Sequence, residues 1–167
     1  MRALPSLLAA AFLAAGCLQA VPAPEGTGDP SPREASNVGL RLAGTASRTA
    51  IGPGERADLS YTARNQGADA ITHGVCERPY AFLLRSANGT THSLQPRMVT
   101  CLGYSEDPFP RGATLAFNTT WNGTYAEGER LVPAPPGSYT FVATFTAWRG
   151  GQPVSVSLEL PIRLLPG

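Results

Sequence analysis

Four side chains in the middle of this chain carry ligand chemistry: His73, Cys76, His92 and Cys101. Thiolate and imidazole are the groups that hold zinc, and His73-x-x-Cys76 has the short spacing of one half of such a site. No second short pair follows, because His92 stands well before Cys101 and no His comes after that cysteine. The same two cysteines can pair with each other, and a Cys76–Cys101 disulfide is the expectation, with metal binding by the Cys/His set as the alternative. Other constellations fall short of chemistry. No Gly-x-Ser-x-Gly elbow is present to expose a nucleophilic serine, and the two histidines lie in turn-like surroundings. Glu106 and Asp107 are neighbours beside Pro108, which reads as a solvated loop rather than as paired carboxylates across a substrate. Glu127 and Glu129 lack the alternating Asp/Asn spacing of a calcium loop. The expectation is therefore a protein that is not an enzyme, with no catalytic residue and no cofactor.

Modification is a second kind of chemistry. Asn88-Gly89-Thr90, Asn118-Thr119-Thr120 and Asn122-Gly123-Thr124 are N-glycosylation sequons, three of them among only five Asn. Turn preference for Asn-Gly in a Thr-rich chain accounts for the same pattern. Both readings stand for Asn88, Asn118 and Asn122.

The third cysteine, Cys17, belongs to a different segment. Residues 1–16 hold one positive charge, Arg2, and then an apolar run too short for a spanning helix of about 20 residues. They read as a signal peptide, helical where it forms structure. Its end, Leu13-Ala14-Ala15-Gly16-Cys17, resembles the lipobox of prokaryotic lipoproteins, in which the cysteine is lipidated and becomes the new N-terminus. Ala14 stands where Leu is usual, and ordinary cleavage after Ala20 is the rival. Residues 17–36 follow as a Pro/Gly-rich stretch without apolar periodicity, expected to be a disordered tether. The chain is thus expected to be exported, at the cell surface or in the periplasm, and anchored to a membrane through lipidated Cys17. A disulfide persists in such a compartment.

Charge narrows the partners. The 167 residues carry 13 Lys plus Arg against 12 acids, all the bases being Arg, for a net charge of +1. Without Arg2 the balance is 12 against 12. A neutral body argues against nucleic acid and against electrostatic docking on anionic lipid.

The elements that would position these residues are strands. From Tyr139 to Thr146, Tyr139, Phe141, Ala143 and Phe145 alternate with Thr140, Val142, Thr144 and Thr146, the period of a strand with one buried face. Its Pro136-Gly137-Ser138-Tyr139 entry looks like the tyrosine corner of immunoglobulin-like sandwiches, whose phenol bonds back to upstream backbone. Val38, Leu40 and Leu42 mark a first strand. Ile51 leads into the Gly52-Pro53-Gly54-Glu55 turn, and Ala57, Leu59, Tyr61 and Ala63 alternate until residues 65–69. Residues 70–75 give a short strand. Residues 80–86 and 90–94 flank Asn88-Gly89, a hairpin signal. Leu115, Phe117, Thr119 and Trp121 share one face. Val154, Val156, Leu158, Leu160, Ile162 and Leu164 alternate to the end, with Pro161 pointing to an edge or bend. Residues 95–110 and 122–136 read as long loops, the first clamped by the disulfide at about 3 kcal/mol for a loop of about 25 residues. The expected fold is all-β: an immunoglobulin-like antiparallel β-sandwich of seven to nine strands over residues 37–165.

Several stretches resemble the BsuPI family, named for an intracellular proteinase inhibitor and built as an immunoglobulin-like sandwich. They are the aromatic-rich run Tyr80-Ala81-Phe82-Leu83-Leu84-Arg85-Ser86-Ala87-Asn88-Gly89, the turn Phe109-Pro110-Arg111-Gly112 leading to Trp121-Asn122-Gly123, and the Pro136-Gly137-Ser138-Tyr139 entry. The resemblance spans roughly residues 38 to 147. Thr91-His92-Ser93-Leu94 stands where the family has Trp-Ser, and the cysteine pair is not a general family feature. The resemblance implies a non-catalytic cell-surface binding module that displays loops to a protein partner, with a protease as the implied class. No reactive-site residue carries over. The alternative is a structural or assembly lipoprotein of the cell envelope.

Overall fold

A computed structural model of the chain describes residues 31–74, 79–95 and 106–167. Every regular element among them is a strand: β1 (Arg33–Asn37), β2 (Leu40–Ala46), β3 (Ala50–Ile51), β4 (Ala57–Asn65), β5 (Ile71–Gly74), β6 (Tyr80–Ser86), β7 (Thr91–Ser93), β8 (Glu106–Phe109), β9 (Thr114–Trp121), β10 (Thr124–Glu127), β11 (Arg130–Pro133), β12 (Gly137–Arg149) and β13 (Gln152–Leu164). They form two sheets packed as an immunoglobulin-like sandwich. The smaller has the order β1-β2-β4-β9; the larger runs β11-β10-β7-β6-β12-β13-β3, with β5 on β12 and β8 on β5.

Period-two patterning places the core. β4 buries Ala57, Leu59, Tyr61, Ala63 and Asn65 and exposes every residue between them. β12 turns Tyr139, Phe141, Ala143, Phe145 and Ala147 inward, and β13, its neighbour in the same sheet, turns in Val156, Leu158, Leu160, Ile162 and Leu164 beside them. Trp121, Tyr61, Phe141 and Phe145 are the largest fully buried side chains. Burial of a large apolar side chain of this kind stabilises by about 1.5–3 kcal/mol. Trp121 packs edge-on against Tyr139 and Phe141, with centroids 5.6 Å and 5.2 Å away.

The tyrosine corner is present. The Tyr139 hydroxyl donates to the Pro135 carbonyl at 2.6 Å. Burial, and then the neighbouring Tyr125, push the Tyr139 phenol up from its ordinary pKa. Pro161 also lies as its type requires. The Arg163 N–H bonds out to Thr49 O, so the Pro161 nitrogen two residues earlier faces the same outer side of β13, away from β12.

Four features differ from the sequence expectation. Among the described residues thirteen strands replace the expected seven to nine, because β1, β3, β8, β10 and β11 are two to five residues long and show too few alternations to register as a period. One pairing, β13 with β3, is parallel. The sheet also begins before Asn37: Arg33 to Ser36, within the stretch expected to be tether, already pair along β2. Val38 is not a core position of the first strand. It is 54% exposed in the β1–β2 turn, at φ 46°, beside Gly39 at φ 79°. Two positive φ values in a two-residue loop are what a tight right-twisting hairpin demands.

Candidate functional site

The residues expected to do covalent chemistry through sulfur, Cys17, Cys76 and Cys101, lie outside the described residues. The two histidines are described, and topology separates them. His92 is paired with Leu84, which sits opposite Phe141 on β12. His73 follows Thr72, which sits opposite Trp148 on the same strand. Seven residues along an extended strand are about 23 Å. His73 instead lies edge-on to Phe109 at 5.8 Å, with Nδ1 3.1 Å from Gly74 O. The His92 ring lies 3.9 Å from that of Tyr125. Among the described residues, no group of three or more His, Cys, Asp or Glu side chains comes together as a metal site.

The acidic pairs are placed differently from expectation. Glu106 and Asp107 belong to β8, not to a loop, and β8 runs antiparallel to β5 with Asp107 across from His73. Pro108 is tolerated there because, among the described residues, β8 has a partner on one side only. The Thr72 hydroxyl donates to the Glu106 carboxylate. Glu127 closes β10 opposite Arg130, and Glu129 lies exposed in the turn between them.

All three sequon asparagines are exposed. The Asn88 side-chain oxygen accepts from the Thr90 N–H at 2.9 Å and the Ser86 hydroxyl at 2.6 Å, which fixes the β6–β7 turn. Asn118 stands on β9, an edge of the smaller sheet. The Asn122 oxygen accepts from the Thr124 hydroxyl at 2.7 Å.

The interval 122–136, expected to be a loop, contains the best-formed display element. β10 and β11 make a hairpin in register from Thr124–Pro133 to Glu127–Arg130, turned by Gly128 at φ 63°. Its base is held from several sides. The Trp121 indole N–H donates to Thr124 O at 2.7 Å, and the Ala134 N–H donates to Gly123 O at 2.8 Å. Tyr125 packs on His92, while Pro135 accepts from Tyr139. Among the described residues, Ala126, opposite Ser93, joins the hairpin to the rest of its sheet in register. Leu131 is 52% exposed, a large apolar side chain with Glu129 and Arg130 just before it. The sequence does hold a signal for this hairpin: two four-residue runs, Thr-Tyr-Ala-Glu and Arg-Leu-Val-Pro, around Gly128-Glu129. It is too short to outweigh the prolines on either side.

The other expected loop, residues 95–110, is part strand, since residues 106–109 form β8. Its residues 96–105 fall outside the described set.

No family model matches this chain, and no curated protein matches it. Among solved structures it is similar to a β-glucosidase from Erythrobacter marinus, at 15% identity over 81% of this chain and 16% of that one, with a TM-score of 0.41. A β-glucosidase from Listeria innocua in complex with isofagomine is similar at 8% identity over 76% of this chain and 16% of that one, TM-score 0.45. AvmM, which catalyses macrocyclization in alchivemycin A biosynthesis, is similar at 11% identity over 78% of this chain and 91% of that one, TM-score 0.41. The chain spans about a sixth of the length of the two β-glucosidases.

Proposed function

We propose that this protein is a non-catalytic binding module, exported and held at a membrane through lipidated Cys17, that presents the β10–β11 hairpin to a protein partner. The observation that carries this reading is Leu131: an exposed large apolar residue on a hairpin whose base is fixed by Trp121, Tyr125 and the Tyr139 corner. A pre-shaped hairpin loses little conformational freedom on binding, so an apolar anchor on it can be used fully in a partner's pocket. Loops on a rigid sandwich carry recognition for the same reason. The BsuPI-like stretches suggest a protease as the partner class.

The exported chain, purified and titrated against a panel of serine proteases, tests the reading. Inhibition of at least one protease at micromolar concentration or below is expected, weakened at least tenfold by Leu131→Asp. A chain that inhibits none of them at that concentration loses its claim to be an inhibitor. Inhibition unchanged by Leu131→Asp moves the contact away from the hairpin.

A further inference from the structure

Exposed strand edges invite pairing, and proteins blunt them with charge, proline or shortness. The described edges follow this rule with one exception. β1 carries Arg33 and Glu34, β8 carries Glu106, Asp107 and Pro108, β11 carries Arg130 and Pro133, and β3 is two residues long. β9, Thr-Leu-Ala-Phe-Asn-Thr-Thr-Trp, is eight residues long with no charge and no proline. It pairs with β4 through eight consecutive positions without a bulge. Nothing among the described residues pairs with its other side.

The hydrogen-bond phase shows which groups are offered. Asn65 N–H bonds to Ala113 O, while Asp58 O accepts from Ser47 N–H next to β2. Odd-numbered residues of β4 therefore turn their backbone groups to β9, and even-numbered ones turn theirs to β2. Through the register Leu59↔Thr119, Tyr61↔Phe117 and Ala63↔Leu115, the odd residues of β9 bond to β4. Thr114, Ala116, Asn118 and Thr120 then aim their N–H and C=O groups at the open edge, and all four side chains are exposed.

We propose that this edge is the site at which a second copy of the chain adds, β9 to β9 and antiparallel about a two-fold axis, joining the two smaller sheets into one. The register that uses all four positions sets Thr114 against Thr120 of the second copy and Ala116 against Asn118 of the second copy. This orientation sets no like charges against each other. Arg64 lies beside Thr114 and Asp58 beside Thr120, so the two-fold brings the Arg64 row of each copy in line with the Asp58 row of the other. The inner side supports it as well. Leu115 on β9, with Tyr80 and Phe82 on β6, is only partly buried against the core, and a second copy alongside β9 would cover that flank. The contact is isologous, so it closes at two copies. About eight backbone hydrogen bonds would form, two for each narrow pair. A dimer would also present two β10–β11 hairpins at once.

Sedimentation of the exported chain, with amide exchange followed residue by residue, tests the proposal. The expected result is a monomer–dimer equilibrium, with the Thr114, Ala116, Asn118 and Thr120 amides at least tenfold more protected at high than at low protein concentration. Asn118→Pro removes an N–H from the open edge and none from the β4 ladder, so it should weaken dimerisation at least tenfold. If that variant loses its fold, Ala116→Lys combined with Asn118→Lys sets like charges against each other across the axis and should leave a folded monomer. A chain monomeric at hundreds of micromolar overturns the proposal. So does a dimer whose even-numbered β9 amides exchange at the monomer's rate.

Discussion

Tyr61→Phe should make this protein more stable. Tyr61 lies at the centre of β4, 2% exposed, its ring 5.3 Å from Phe82 and 5.6 Å from Phe117. Its hydroxyl is buried and meets no hydrogen-bond partner among the described residues. A buried hydroxyl without a partner costs about 1–3 kcal/mol, whereas an apolar side chain of the same shape avoids that cost and keeps the packing. The void left by one oxygen atom reduces the gain, so the expected net is about 1 kcal/mol in favour of Phe. For a domain of this size that is roughly 3–5 °C in Tm. The effect should grow with alkali. Burial raises the Tyr61 pKa well above the ordinary value of 10.0. The folded state therefore keeps a proton that the unfolded chain gives up above about pH 10. With more protons on the folded state, stability falls as pH rises past that point, by up to about 1.4 kcal/mol per unit, and the Phe variant lacks this loss. Urea unfolding of both proteins at pH 7 and pH 10.5 measures it. A Phe variant less stable than wild type by 1 kcal/mol or more at pH 7 would mean that the hydroxyl is satisfied, and the reasoning fails.

Four further substitutions probe the fold, each read by chemical denaturation against wild type. Tyr139→Phe removes the 2.6 Å bond to Pro135 and should cost about 0.5–1.5 kcal/mol; no change would mean that the corner is ornamental. Gly44→Ala should cost about 1–3 kcal/mol, because a Cβ there would lie 2.6 Å from Tyr61 Cδ1 and 2.8 Å from Leu158 Cδ2. Val38→Asn should gain about 1 kcal/mol by relieving a β-branched residue of its φ of 46°, and a loss would show that the turn depends on the valine. Asn65→Ala should cost about 2–3 kcal/mol, since its amide donates to Phe109 O at 2.8 Å and Asp69 O at 3.1 Å while its oxygen accepts from Gly67 N–H at 2.9 Å.

Much of the fold is legible in the chain because a half-buried strand writes itself as alternation. β4, β9, β12 and β13 are long enough for period two to stand out, and their inward residues are those the pattern marks. Pro136-Gly137-Ser138-Tyr139 is local chemistry, and the corner forms from four successive residues and Pro135. Short elements are another matter. β8 contains a proline and two acids, and β11 ends in proline; each is held by a neighbouring strand and not by its own preference. Val38 extends an apparent alternation, yet the hairpin needs positive φ at that position and pushes it out of the core.

The sequence by itself determined the class of fold, the inward face of each long strand and the corner, since these follow from side-chain period and from contacts a few residues apart. Only the tertiary structure decided that His73 and His92 lie far apart along β12, that residues 124–133 form a root-clamped hairpin with Leu131 exposed, and that β9 is the long neutral edge. Which strand ends a sheet, and which side chains meet across it, depends on pairings between residues tens of positions apart. No local pattern encodes these, because backbone hydrogen bonds are the same for every residue type and register is settled only when both faces are packed.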